Sequence, residues 1–315
     1  MGTVVKTLED VLRQGKFGKG FSPTNLRNFR KFYLSYAPSI QQTASAKSLG
    51  EVFPIQQTAS AESLGDASQK GQMASAKFKL SWSHYQVLMR IENVNARSFY
   101  EIEAADQQWS VEQLRRQYQS SLYERLALSR DKTEVMRLAN EGQVIRNPRD
   151  LLKNPLILEF LGVDEKSAYT ESDLETAIIS KLQSFLLELG KGFLFEARQK
   201  RFTYDEQHFF VDLVFYNRLL QCYVLIDIKT DDLKHQDIGQ MQMYVNYYDR
   251  NVKQDFEKPT IGILLCKEKN DSVVQMTLPE NANIYASEYN LYLPDKDLLQ
   301  QKLREWADEF EAGSV

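Results

Sequence analysis

The sequence predicts an α/β fold, with the element order αβββαβ and a mixed central sheet in the C-terminal half, preceded by an all-helical N-terminal domain. Three observations carry this prediction. Strand-like apolar runs at 193–203, 208–216 and 221–229 are separated only by turn-length segments, so they pair as an antiparallel meander. Amphipathic helices flank them at 173–189 and 235–249, and an apolar strand at 260–267 follows Pro259. Residues 1–135 show helical periodicity and no strand alternation.

The N-terminal region starts with a weak helical pattern and the glycines Gly15, Gly18 and Gly20. Ser22-Pro23 marks a helix start, with serine at the cap and proline at the first helical position. From Pro23 to Tyr36, Leu26, Phe29 and Tyr33 fall on one face, with Arg27, Arg30 and Lys31 beside them. A basic helix of this kind suits a DNA groove or an ordinary surface position equally. At 38–77 the string Gln41-Gln42-Thr43-Ala44-Ser45-Ala46 returns as Gln56-Gln57-Thr58-Ala59-Ser60-Ala61 and, degraded, at Gln72-Met73-Ala74-Ser75-Ala76. No apolar face runs through it, so a low-complexity, loosely packed insert is expected. Helices are expected from Ser81 or Ser83 to Arg90, from Ala96 to Ala105 and from Ser110 to Ser129. The last opens on a capping-box spacing, Ser110 to Gln113. Residues 136–170, broken by Gly142, Pro148 and Pro155, read as a linker with a short apolar helix or turn at 156–161. The remainder, 171–315, closes with a short strand at 284–286 and a helix at 295–310.

Composition bounds the function. The 315 residues suit two domains, and 17 Phe and 16 Tyr supply a core, so the chain is not disordered. A net charge of −4 confines any nucleic-acid surface to a local patch, such as the seven Lys or Arg within 1–36. Cys222 and Cys266 sit in apolar runs and read as buried free thiols of a reducing compartment. His84, His208 and His235 are too scattered for a His/Cys zinc site. The N-terminus lacks the apolar stretch of a signal peptide, and no run reaches bilayer length. A cytoplasmic protein without membrane contact is expected.

The chemistry centres on Asp212, Asp227 and Lys229. Asp212 lies in Phe209-Phe210-Val211-Asp212-Leu213-Val214-Phe215, a run apolar on both faces, where an ionised carboxylate is costly unless paired or bound to a cation. Asp227 and Lys229, two apart on the next strand, share a face, and if the strands pair around a hairpin at 218–221, Asp227 lies opposite Asp212. Two carboxylates offer hard oxygen ligands to Mg²⁺, and a lysine beside them balances charge in phosphodiester hydrolysis. A buried Asp–Lys ion pair is the competing reading, and it leaves one acid unpaired. Glu175 belongs either to this cluster or to a capping box with Ser172. Gln240, with Tyr244 and Tyr247 on the same helix face, either reaches the site or forms its polar rim. Glu196 and Arg198 face either substrate or solvent.

Asp212 followed by Asp227-Ile228-Lys229 in an αβββαβ setting resembles the PD-(D/E)XK nuclease superfamily, whose core is restriction-endonuclease-like. More closely, the chain resembles the YhcG-type family. The strings are Glu171-Ser172-Asp173-Leu174-Glu175, Phe193 to Arg201 with Arg198-Gln199, Val211 to Tyr216 and Gly239-Gln240-Met241, with Gly18 to Ser22, Asn25-Leu26 and Ser81 to Tyr85 upstream. The resemblance implies a metal-dependent endonuclease using Mg²⁺, or Mn²⁺, at Glu175, Asp212 and Asp227. Lys229 and Gln240 complete the catalytic set. It implies DNA as the partner, held by a helical N-terminal domain through residues such as Arg27, Arg30, Arg115, Arg116 and Arg198. Val211 stands where a proline is expected and Asp227 where glutamate is more usual. The chain begins close to its glycine-rich motif, so the upstream helices typical of the family are expected to be missing. The alternative is a non-catalytic nucleic-acid or protein binding module built on a nuclease fold. Homo-oligomers through the N-terminal helices and partner proteins stay open.

Overall fold

The structure, a computed structural model, describes residues 22–45, 78–128, 132–163, 169–268, 276–277 and 282–312. The chain divides into two compact units, Met1–Leu114 and Arg115–Val315.

In the first unit, α1 (Pro23–Ser45) starts at the predicted cap, where Ser22 Oγ accepts from the Asn25 amide at 3.3 Å. It continues past Tyr36 and Pro38 to Ser45, within the first copy of the repeat. Residues 46–77, with the later copies, and the glycines before Ser22 lie outside the described residues. Helix α2 (Trp82–Leu88) and helix α3 (Val94–Asp106) follow, the latter capped by Asn93, whose side chain accepts from the Ala96 amide. Their core is aromatic: Phe32, Tyr36, Phe78 and Tyr85 meet largely edge-to-face, the arrangement the ring quadrupole favours. Tyr85 donates to Glu101, whose carboxyl is pushed up by burial and drawn back by the hydroxyls of Tyr36 and Tyr85. Arg27 and Arg30 are exposed on α1.

Helix α4 (Val111–Gln119) opens on the expected capping box, Ser110 and Gln113 each bonding the other's backbone amide. It does not run on to Ser129. Ser121 adopts φ +53°, breaking the segment before α5 (Leu122–Leu128), and α6 (Lys132–Glu141) comes next. The segment expected to link the domains supplies β1 (Leu156–Ile157), followed by a single 3₁₀ turn, Glu159–Leu161. The helix expected over 173–189 is likewise two, α7 (Glu171–Ser180) and α8 (Leu182–Leu189), separated at Lys181.

The strands are β2 (Phe193–Tyr204), β3 (Gln207–Asn217), β4 (Cys222–Ile228), β5 (Ile261–Cys266) and β6 (Ile284–Asn290), with α9 (His235–Asn251) between β4 and β5 and α10 (Lys296–Ala312) at the end. Their order in the sheet is β1-β6-β5-β4-β3-β2. β2, β3 and β4 form the predicted antiparallel meander. β5 runs parallel to β4, a connection that needs a crossover, and α9 provides it. The mixed sheet and its helical cover are restriction-endonuclease-like. Asp205 and Glu206, both at positive φ, make the two-residue turn between β2 and β3.

Two apolar clusters explain why β4 and β5 read as continuous hydrophobic runs. Val224, Ile226, Ile228, Ile263 and Leu265 pack against Leu174, Ile178 and Phe185 of α7 and α8. Leu225 and Leu264 pack against Ile238, Met241, Tyr244 and Tyr248 of α9. Each such side chain contributes about 1.5–3 kcal/mol by burial, so the centre of the sheet is the most strongly held part of the unit. Gly262 is needed for this: a Cβ there would lie 2.6 Å from Met241 Cγ, so α9 closes onto β5 only over glycine.

Arg116 is turned into this unit. Its guanidinium donates to Glu188 (2.8 Å), to both carboxylate oxygens of Glu159 and to the Ile157 carbonyl, and it lies over the Phe160 ring. That corrects its expected role as a phosphate contact. Arg125 donates to the other oxygen of Glu188, at 2.8 Å, and Lys153 to the Glu188 carbonyl.

Candidate active site

The site forms where β3 and β4 part. Their ladder ends at Leu213 and Ile226, and one further step sets Asp212 opposite Asp227, as the hairpin reading expects. Asp212 Oδ2 accepts from the Ile228 amide at 2.8 Å, a backbone donor released because the ladder stops. The Asp227 side chain is 3% exposed, and Lys229 Nζ lies 2.9 Å from its Oδ2. The ammonium thus sits directly on a buried carboxylate oxygen. Glu171, at the start of α7, approaches Lys229 at 3.6 Å.

The electrostatics follow from crowding. The Asp212 carboxyl is pushed up from 3.8 to about 7, first by burial and then by the Asp227 charge, against the pull of the Ile228 amide. Burial also raises the Asp227 carboxyl, while Lys229 opposes the shift. For Lys229 burial works against the ammonium, but Asp227, Glu171 and Asp212 together outweigh it and its pKa rises. This is a site where acids resist ionisation and the lysine stays charged.

Glu175 sits on α7 with 5% of its side chain exposed. It is not a capping residue: Thr170 caps α7, with Asp173 completing the box. Glu175 Oε2 instead accepts from Arg198 Nε at 3.1 Å and Gln199 Nε2 at 2.8 Å. Gln199 Nε2 also donates to Asp212 Oδ1 at 3.0 Å, so one amide joins the two acids. Arg198 turns to Glu175 and Thr176, while Glu196 pairs with Lys200 on the surface.

Gln240 is exposed and donates to the hydroxyl of buried Tyr244, making no bond to the acids among the described residues. Tyr244 senses the charges of the site. Burial and the charges of Asp227 and Asp212 push its hydroxyl up to about 12, against the Gln240 hydrogen bond. Arg115 is exposed.

Sequence reasoning assigned no site role to Gln199, Glu171 or Tyr244. Tyr244 had a usable signal, four residues after Gln240 on one helix face. Glu171 had only its place one turn before Glu175. Gln199 had only its place in the Arg198-Gln199 string of the family resemblance, because strict strand alternation points it away from Glu175.

The donor set suits a hard divalent cation at two of the three expected ligands. Asp212 has a lone pair left on each oxygen, and Asp227 offers a second buried carboxylate, whose Oδ2 carries the Lys229 ammonium at 2.9 Å. No group of three or more His, Cys, Asp or Glu side chains among the described residues is arranged to hold a metal ion. Glu175, expected as the third ligand, is tied to Arg198 and Gln199 instead.

Comparison with known proteins decides the family. Residues 149–304 match the family model described as the YhcG PDDEXK nuclease domain, and residues 2–125 match the DUF1016 N-terminal domain. Over 291 residues the chain is 40% identical to "Putative nuclease YhcG" of Escherichia coli (strain K12), covering 91% of this chain and 76% of that protein. The chain belongs to the YhcG family. Its YhcG nuclease domain is the αβββαβ region with Asp212, Asp227 and Lys229 at its centre, of the PD-(D/E)XK type. Partial overlaps with a repair endonuclease from Pyrococcus abyssi and with EndoMS bound to double-stranded DNA are each 17% identical over 42% of this chain and 50% of that chain, with TM-scores of 0.28 and 0.29. Overlaps that weak carry no argument about a YhcG protein. No helix among the described residues is long and apolar enough to cross a membrane.

Proposed function

We propose that this YhcG-family chain is a divalent-cation-dependent endonuclease that hydrolyses DNA phosphodiester bonds. The observation that carries the reading is the pair Asp212 and Asp227, set opposite each other at the parting of two central strands with Lys229 against Asp227. Membership of a nuclease family supports it.

Asp212 and Asp227 would hold Mg²⁺ or Mn²⁺. When bound, the cation supplies positive charge for the phosphate and acidifies a coordinated water. Lys229, kept protonated by the surrounding acids, balances charge that develops on the phosphate oxygens. Glu175 and Gln199 hold Asp212 in place, and Gln240 with Tyr244 borders the cleft. The helical N-terminal domain, with Arg27 and Arg30 exposed on α1, supplies backbone contacts to duplex DNA. Arg115 and Arg198 are the candidate contacts outside α1. The reading places the protein in the cytoplasm, where its two buried cysteines stay reduced.

The test is nicking of supercoiled plasmid by the full chain with Mg²⁺, Mn²⁺ or EDTA, beside Lys229→Ala. Cleavage should need the cation and fall on the order of 10²-fold or more in the variant. DNA retention without cation-dependent nicking by the parent would leave the non-catalytic binding module as the function. Equal nicking by Lys229→Ala would remove Lys229 from the chemistry.

A further inference from the structure

Gln199 makes contacts that an ordinary strand residue cannot. Consecutive strand side chains point to opposite faces, so Arg198 and Gln199 should not reach one acceptor. Both donate to Glu175 Oε2, at 3.1 and 2.8 Å. The backbone explains how. Gln199 has φ +48° inside β2, a left-handed conformation uncommon for a long side chain, and it turns the amide back toward the face that Arg198 occupies. Across the β2–β3 ladder, the pairs Arg198↔Leu213 and Lys200↔Val211 bracket Gln199 and Asp212, so the same amide also reaches Asp212 Oδ1 at 3.0 Å. An amide nitrogen carries two hydrogens, enough for one to each acid.

We infer that Gln199 is a positioning residue for cation binding, its amide tying Glu175 to Asp212 and, with the Ile228 amide, fixing the Asp212 carboxylate in one orientation beside Asp227. The inference rests on the function proposed above and adds a residue to it. Asp212 is gripped from both sides, Oδ1 by β2 and Oδ2 by the backbone beyond the last β4 pair. A ligand held by two donors of different elements is already ordered when the cation arrives, and groups that orient ligands in this way set affinity. Satisfying Glu175 alone does not account for the backbone strain, because Arg198 already bonds that carboxylate.

The test is calorimetric titration of the full chain with Mn²⁺, with unfolding midpoints measured in EDTA, for the parent, Gln199→Met and Gln199→Asn. Methionine keeps the length and cannot donate. Asparagine tolerates the left-handed backbone and keeps the amide, but is one methylene too short to bridge both acids. Both variants should bind Mn²⁺ about 10–100-fold more weakly while folded at the titration temperature, and the asparagine variant carries the test if the methionine variant does not fold. Parent-like Mn²⁺ affinity in a folded variant, even with a lowered midpoint, would show a merely structural residue and overturn the inference alone. A parent that binds no Mn²⁺ overturns it together with the proposed function.

Discussion

Asp212→Asn tests whether the site is built around repulsion that a cation relieves. Folding moves the Asp212 carboxyl from 3.8 to about 7, chiefly by burial and then by Asp227. The folded form therefore holds this proton more tightly than the unfolded chain, and ionisation destabilises. The penalty is absent below about pH 4, grows through the interval up to 7 and is complete above it. At about 1.4 kcal/mol per pKa unit its full size is roughly 4 kcal/mol, and roughly 2–4 kcal/mol once residual solvent contact is allowed for. Asparagine removes the penalty but offers only one acceptor to the Gln199 and Ile228 donors, at a cost of about 1–2 kcal/mol. In EDTA the variant should be about 1–2 kcal/mol more stable than the parent at pH 7.5, and less stable by about 1–2 kcal/mol at pH 4, where only the lost hydrogen bond counts. Saturating Mg²⁺ should reverse the order at pH 7.5. The parent gains about 2.7 kcal/mol at 100 times its Kd, and the variant, short of a ligand, gains little. Urea unfolding with and without Mg²⁺ reads all four conditions. A variant about 3–5 kcal/mol less stable at pH 7.5, beside a parent indifferent to Mg²⁺, would refute the reasoning, because that is the cost of stranding a buried cation.

Glu188 is fully buried, and although burial alone would raise its carboxyl, Arg125, Lys153 and Arg116 outweigh it and hold it down at about 2. Its stabilisation is complete above 4.5 and is lost as pH falls from there to about 2, so Glu188→Gln should cost about 3–5 kcal/mol at neutral pH and flatten this part of the acid-unfolding curve. Gly262→Ala should push Met241 outward and destabilise by about 1–3 kcal/mol in denaturant unfolding; an unchanged midpoint would mean α9 yields freely. Replacing both Arg27 and Arg30 by alanine in the full chain should weaken duplex binding on all sequences and reduce the slope of log affinity against log salt by about 2. An unchanged slope would remove α1 from the DNA surface.

The strands and the acidic pair were legible because they follow from local pattern. Runs such as Tyr223 to Ile228 have one stable home, a strand covered on both faces; which residue faces Asp212 depends on a hairpin register that the sequence leaves open by a residue and the Leu213↔Ile226 pair fixes. The two helix breaks were not legible. Lys181 and Ser121 lie inside good apolar stripes and carry neither proline nor glycine; what divides these helices is a local backbone conformation, φ +53° at Ser121 and φ −119° at Lys181. Arg116 misled for the opposite reason. An arginine beside an apolar stripe reads as solvent-facing, and only the fold brings Glu188, 72 residues away in sequence, to meet it. Glu175 read equally as cap or site residue, and the ambiguity disappears once Thr170 takes the cap.

Why the chemistry collects at this point of the sheet follows from backbone accounting. A central strand offers side chains to two apolar layers and spends its amides on its neighbours, so a carboxylate in mid-strand would be both desolvated and without donors. β3 outlasts its ladder with β4, which ends at Leu213 and Ile226. Just past that end the Ile228 amide bonds the Asp212 side chain, and the left-handed backbone at Gln199 turns its side-chain amide toward Asp212 from β2. Asp212 thus keeps the rigidity of a core residue with hydrogen bonds the core could not give it. Asp227, one step along β4, leans on Lys229 instead. The asymmetry assigns the two acids different parts. Asp212 is oriented by the protein and Asp227 is held by charge, so loss of Lys229 should disturb Asp227 far more than Asp212.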